Sequence, residues 1–205
     1  GLYSFALGLG KKVLLADSLA KIVSQGYTDV AALNSTEALL VMVCYSLQLY
    51  FDFSGYCDMA SGIALMFNVN LPVNFHSPYK AASISEFWDR WHMTLTRFFT
   101  QYVYIPLGGS RKGTARTLLN IMIIFLLSGF WHGTNWTFLV WGALHGLCMV
   151  FERVTGYEKW KLPHMLKVAW NFMLTTFAWS IFRAESLSQA GQLWNRLFTG
   201  GIGKI

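Results

Sequence analysis

The amino-acid sequence predicts an all-α integral membrane protein. Of its 205 residues, 54% are hydrophobic and only 13% are charged, against about 25% charged residues in an ordinary soluble domain. Its mean hydropathy is +0.39, and residues 117–151 contain no Asp, Glu, Lys or Arg. This composition excludes a disordered chain, a disulfide scaffold and nearly all ordinary cytosolic enzymes.

Charge and cysteine content exclude two further classes. The net charge of +6 does not call for nucleic acid, because membrane proteins concentrate Lys and Arg at their cytoplasmic edges. The three cysteines are widely spaced in apolar settings, so we expect small core residues and no metal site. Because the chain opens with Gly1 inside an apolar run, we expect 1–205 to be one partial domain that lacks an N-terminal part.

The charge-free stretch predicts a helical hairpin. As one helix its 35 residues would be about 52 Å long, too long for a bilayer core of about 30 Å. The sequence around 128–136 supplies a break, so we expect two short helices, 117–130 and 135–151. Irregular backbone at membrane depth survives only inside protein or beside a wet cavity. The turn is therefore a candidate site.

Segments 37–67 and 166–182 are also apolar enough to predict spans. If all four segments cross, loops 68–116 and 152–165 lie on one side. Together with Lys167 they hold ten of the sixteen Lys and Arg residues. That side is the better cytoplasmic candidate.

Residues 83–102 predict an amphipathic helix in the membrane interface. Ser83 and Glu86 have the spacing of a capping box. Large apolar side chains then recur on one face, with charged residues opposite, as is typical of interfacial helices. The apolar face comprises Ile84, Phe87, Trp88, Trp91, Leu95, Phe98, Phe99 and Tyr102. His92 lies at its margin.

Four polar residues share one arc of the 37–67 helix: Tyr45, Gln48, Asp52 and Tyr56. They could line a substrate tunnel or form a hydrogen-bond ladder to a neighbouring helix. Asp58 points elsewhere, and we expect it to pair with a cation.

Two histidines are candidates for catalysis. His132 lies in the most apolar part of the chain, flanked by Trp131 and Trp136, and a neutral imidazole can act as a general base near neutral pH. His92 is a candidate for catalysis on similar grounds. Either could instead pack or cap a helix, whereas the setting of His145 favours a structural role.

Other membrane chemistries fit less well. Di-iron desaturases need clustered histidines, whereas no two histidines here are fewer than 13 residues apart. A Ser128–His132 pair lacks the context of a serine hydrolase. A transporter remains possible because of the broken hairpin and Asp52.

Several motifs together are specific. Tyr50–Tyr56 (YFDFSGY) with Asp58–Ala60 (DMA) resembles the membrane-bound O-acyltransferase family. The remaining motifs resemble the bacterial alginate O-acetyltransferase branch of that family. The teichoic acid D-alanyl transfer protein is related to this branch. These are Phe75–Tyr79 (FHSPY), Phe87–Leu95 (FWDRWHMTL), Tyr104–Gly109 (YIPLGG), Gly129–Gly133 (GFWHG) and Trp141–Gly146 (WGALHG).

This resemblance implies a multi-span helical core pierced by a tunnel, in a bacterial cytoplasmic membrane, with the C-terminal end also missing. The family's principal catalytic histidine matches His132, and its second functional histidine matches His92. Asp52, Gln48, Tyr45, Tyr56, Trp131 and Trp136 would line the tunnel. No cofactor is expected.

The expected reaction moves an acyl group, by branch resemblance acetyl, from a cytoplasmic thioester across the membrane. The donor would be acetyl-CoA or an acyl carrier protein. The acceptor would be a hydroxyl of an extracytoplasmic polysaccharide or partner acyltransferase. The competing prediction is a non-enzymatic polysaccharide or lipid exporter, and a third is a scaffolding subunit.

Overall fold

A computed structural model describes residues 1–201, and within that range every regular element is helical. This confirms the predicted all-α class. The α-helices are α1 (Leu2–Gly10), α2 (Asp17–Thr28), α3 (Ser35–Met66), α4 (Ile84–Arg90), α5 (Met93–Phe99), α6 (Thr114–His132), α7 (Trp136–Thr155), α8 (His164–Arg183) and α9 (Leu187–Thr199). A π-helical segment, Lys11–Ala16, joins α1 to α2, and another, Thr100–Tyr104, extends α5.

Three of these helices, α3, α6 and α7, are long and apolar enough to cross a membrane. The predicted span 37–67 is thus confirmed as α3. The predicted span 166–182 forms α8 but is not among the three. The helix α2 lies outside the predicted spans.

The described chain divides into two compact units, the first formed by residues 1–72 and 183–201, the second by Val73–Phe182. In the first unit, α1, α2 and α9 pack on α3. Asn34 and Glu37 form a complete capping box at the start of α3, which satisfies two orphan backbone donors.

Ion pairs tie the helices of the first unit together. Lys11 Nζ lies 2.6 Å from Asp58 Oδ2, which confirms the predicted cation partner of Asp58. Lys12 Nζ lies 2.7 Å from Asp52 Oδ1 and 2.9 Å from Asp17 Oδ1. These two carboxylates raise the pKa of Lys12 to about 12.

The second unit contains the predicted hairpin, with longer helices than expected. α6 runs on to His132 and α7 starts at Trp136, so the break is only Gly133–Asn135. Helices of 19 and 20 residues can each cross a membrane. The predicted end of the first helix near residue 130 is wrong because Gly129 serves helix packing: a Cβ there would lie 2.4 Å from Phe138 O.

The predicted continuous helix 83–102 is broken at His92. This residue adopts the left-handed conformation (φ 46°, ψ 50°) and separates α4 from α5. The apolar face of α4 is a protein core, since Phe87 and Trp88 are 0% and 7% exposed. Phe98 and Tyr102, beyond the break, are exposed.

Candidate active site

His132 is the last residue of α6, directly before the turn that starts α7. Its imidazole is half-buried and meets two aromatic rings edge-on: Trp141 at 5.3 Å and Phe182 at 5.2 Å between centroids. Among residues 1–201, no side-chain or backbone group forms a hydrogen bond with this imidazole. A substrate hydroxyl that reached the ring could therefore bond to it.

His92 projects from the break between α4 and α5 and is also half-buried. Burial, and to a smaller extent the neighbouring His132, lower its pKa to about 4. His92 is consequently neutral at physiological pH. The fold thus brings together two histidines that are 40 positions apart in the sequence.

An aromatic cluster lies against His132 through Trp141. It consists of Phe87, Trp88, Phe125, Trp141, His145 and Trp179. The Trp141 and Trp179 rings stack at 5.5 Å. His145 is 1% exposed and its Nδ1 accepts a hydrogen bond from Trp88 Nε1 at 3.3 Å. His145 is thus a core residue, as the sequence favoured, and the cluster gives His132 rigid, uncharged surroundings.

Glu152, near the end of α7, holds α4 in place. Its two carboxylate oxygens accept from the backbone N–H groups of Ile84 (2.6 Å) and Ser85 (3.0 Å). Ser83 accepts from Glu86 N, but the Glu86 carboxylate bonds to Ala82 N rather than closing the predicted box. Sequence reasoning missed Glu152. Its only signal was that it is the first carboxylate after Asp89, since residues 90–151 contain no Asp or Glu.

A cavity of about 230 Å³ lies among α4, the α5 region, α6 and α7. Trp88, Phe125 and Leu95 contribute apolar surface, while Asp89 and Arg153 contribute charge. Ser128, one turn before His132, also lines it. The cavity is large enough for a small apolar group.

The four predicted polar residues of α3 lie in the first unit, whereas both histidines lie in the second. They do not share one environment: Tyr45 is 7% exposed and Tyr56 is 64% exposed. Asp52 is paired with Lys12, and the Gln48 Oε1 atom is buried without a hydrogen bond from residues 1–201. Their assignment to a tunnel stays a prediction.

Trp131 and Trp136 flank the turn and are 67% and 71% exposed. Their tunnel role likewise stays a prediction. Over residues 1–201, no three His, Cys, Asp or Glu side chains come together as a metal site, and all three cysteines are free thiols.

The model of the membrane-bound O-acyltransferase family matches residues 1–188 of this chain. The chain belongs to that family. The match covers both histidines and all the motifs that carry the resemblance.

Three relatives within the family illustrate its range. The chain is 46% identical over 194 residues to the "Peptidoglycan O-acetyltransferase" of Helicobacter pylori, covering 93% of this chain and 37% of the relative. It is 42% identical over 204 residues to the "Probable alginate O-acetylase AlgI" of Pseudomonas putida, covering 98% and 41%. The "Teichoic acid D-alanyltransferase" of Streptococcus thermophilus is 31% identical over 163 residues, covering 74% and 37%. The chain thus spans about two fifths of the length of these O-acyltransferase relatives.

Proposed function

We propose that the protein containing this chain is a membrane O-acyltransferase that acetylates a hydroxyl of an extracytoplasmic polysaccharide or partner protein. The donor is a thioester, acetyl-CoA or an acyl carrier protein, that arrives from the cytoplasm. Family membership and relatives named for peptidoglycan and alginate acetylation support this proposal. The location is the bacterial cytoplasmic membrane, which the three apolar helices support.

One observation carries the proposal. His132 ends an apolar helix at a break in the hairpin, and among residues 1–201 its imidazole has aromatic neighbours but no hydrogen-bond partner. A structural histidine of this chain looks different: His145 is buried and bonded to Trp88. A half-exposed imidazole in an apolar setting suits a general base.

The reaction balances with His132 as the base. The acceptor hydroxyl oxygen forms a bond to the thioester carbonyl carbon while its proton moves to His132. The carbon–sulfur bond then breaks, and the thiolate leaves and takes up the proton from the imidazole. His92, neutral and near His132, orients the donor or relays the proton.

The partner proteins of the proposal are extracytoplasmic acyltransferases that would accept the acetyl group, and the lipid bilayer surrounds the helices. The polar arc of α3 with Asp52 would line the substrate route. Both assignments rest on the resemblance and on the helical positions of the residues.

The test uses the full-length protein in its own cells. Ester-linked acetate on secreted and wall polysaccharide is compared between wild type and His132→Ala at matched membrane levels. Loss of a general base lowers turnover by roughly 10²- to 10⁴-fold, so acetate should disappear while polymer export continues. Unchanged acetate with reduced polymer outside the cell would favour an exporter and contradict the proposal.

A further inference from the structure

Three donors converge on the side-chain oxygen of Asn74, which lies in the extended segment before α4. Thr94 Oγ1 is 2.6 Å away, Thr94 N is 3.2 Å away and His92 Nδ1 is 3.3 Å away. Asn74 belongs to none of the motifs that carry the family resemblance, and it lies 18 positions before His92. Its side chain is nevertheless in polar contact with the second candidate histidine.

The Thr94 backbone settles which way the Asn74 amide points. A backbone N–H can only donate, so the Asn74 atom that faces it must be the carbonyl oxygen and not the NH₂ group. The same oxygen faces His92 Nδ1. An amide oxygen only accepts, so Nδ1 must carry a proton.

This contact selects one tautomer of His92. A neutral imidazole has one N–H and one lone pair, and burial keeps the ring of His92 neutral. With the proton on Nδ1, the lone pair lies on Nε2. In a neutral histidine the group bonded to one ring nitrogen thereby decides the chemistry of the other.

The backbone holds Asn74 and His92 in register. Met93 N donates to the Asn74 backbone oxygen at 3.1 Å, and His76 N donates to Arg90 O at 2.9 Å. Arg90 in turn bonds to the His76 carbonyl and to Glu86. The left-handed backbone of His92 is thus braced on both sides by the 74–76 segment.

We propose that Asn74 is a positioning residue for the acyl transfer: it locks His92 in the Nδ1–H tautomer, so that Nε2 is the proton-accepting atom. The effect of Asn74 on acyl transfer rests on the proposed function. The tautomer of His92 rests on hydrogen bonding alone. Asn74 touches no substrate in this assignment and acts through His92.

The first experiment measures the tautomer directly. Full-length protein carrying ¹⁵N-labelled histidine is studied by NMR in detergent, and the His92 signals are assigned by their loss in His92→Asn. We expect the wild-type signals of a protonated Nδ1 and an unprotonated Nε2. A protonated Nε2 in the wild type would overturn the proposal, whether or not the protein proves to be an acyltransferase.

The second experiment uses two substitutions at Asn74 and one matched control. Asn74→Leu removes the acceptor at similar volume; loss of such a supporting bond costs roughly 10- to 100-fold in activity, expected in kcat with KM nearly unchanged. Asn74→Asp keeps the acceptor but adds a negative charge. A carboxylate at this distance raises a histidine pKa by about 1–3 units, so the acidic limb of the activity profile should move to higher pH.

The control, Asn70→Leu, changes an exposed asparagine nearby and should match wild type.

The outcomes distinguish an Asn74 that sets the tautomer of His92 from one that only supports the backbone turn. If Asn74 only braces the chain, Asn74→Asp lowers the amount of folded protein without moving the pH profile, and the proposal fails. If Asn74→Leu is well folded and retains wild-type kcat, it also fails. If the full-length wild type transfers no acyl group, the proposed function fails, while the NMR result still decides the tautomer.

Discussion

Lysines of the first unit and the candidate histidines of the second unit are held in different ways. In the first unit, Lys11 and Lys12 pair with Asp58 and Asp52 across partly exposed surfaces. In the second unit, His132 lies against aromatic rings, and burial holds His92 neutral. The charges of an ion pair are neutralised by each other, whereas a neutral imidazole keeps a lone pair that can accept a proton.

This difference shows where chemistry can reside. An ion pair at an exposed site contributes little to stability, about 0–1 kcal/mol, but it also occupies both partners. In the second unit, His132 packs against the rings of Trp141 and Phe182, and backbone hydrogen bonds from the 74–76 segment flank His92, so changes there should have larger effects.

The largest expected effect concerns His92. His92→Ala should lower the turnover of the full-length enzyme by about 10²- to 10⁴-fold if the imidazole acts in proton transfer. Acetate transfer to polysaccharide is measured at matched expression, with His164→Ala, an exposed histidine, as the control. A mild loss confined to the KM for the donor would reduce His92 to a binding role.

The second prediction compares a glycine in the close contact between α6 and α7 with a less crowded glycine in α9. A Cβ at Gly142 would lie 2.3 Å from Phe125 O, whereas one at Gly191 in α9 meets nothing within 4 Å. Gly142→Val should therefore destabilise the folded protein by about 3 kcal/mol or more, because backbone cannot yield as a side chain does.

Gly191→Ala is the matched control and should be neutral or stabilise α9 by up to about 1 kcal/mol. Thermal unfolding in detergent measures both variants. Equal unfolding temperatures for the two would show that α6 and α7 are not in the close contact described.

The third prediction concerns pH. The pKa of His92 is about 4 in the folded chain against the ordinary 6.5, so between these values the unfolded state binds the proton more strongly. Stability should therefore be intact above pH 6.5 and fall as the pH drops toward 4.

The comparison is with His92→Asn, since Asn tolerates the left-handed backbone. The pH dependence of the unfolding temperature should be shallower in the variant over that window. Parallel curves would mean that His92 is not held neutral by the fold.

The smallest effect lies in the first unit. A double-mutant cycle with Lys11→Met and Asp58→Asn should give a coupling free energy of about 1 kcal/mol or less, because both side chains are partly exposed. It should decline further in salt. A coupling of several kcal/mol would break the contrast between the two units.

Sequence reasoning predicted most of the helices because their signals are local. The apolar run 37–67 became α3, and the charge-free stretch became a hairpin with its break after His132. Boundaries were less accurate: the first helix of the hairpin was predicted to end at 130 but runs on to His132, and the missing side chain of Gly129 admits Phe138. A glycine in a sequence does not show whether a turn or a neighbouring helix requires it.

The amphipathic pattern of 83–102 was misread for a related reason. Period alone cannot tell an apolar face that meets lipid from one that meets protein. Nor can it show a single left-handed residue, such as His92, that ends one helix and starts the next. The partners of α4 are distant in sequence: Glu152 caps it and His145 accepts from its Trp88.

The sequence by itself determined the helical membrane class, the hairpin and the two histidines worth testing, because composition, periodicity and short motifs are properties of neighbouring residues. Only the tertiary structure decided that His92 and His132 lie together, that His145 bonds to Trp88 and that Asn74 sets the proton of His92. Those results depend on contacts between segments 18 to 57 positions apart, and such contacts form only when helices pack. The physical reason is that hydrogen bonding and burial act through space, whereas a sequence pattern records order along the chain.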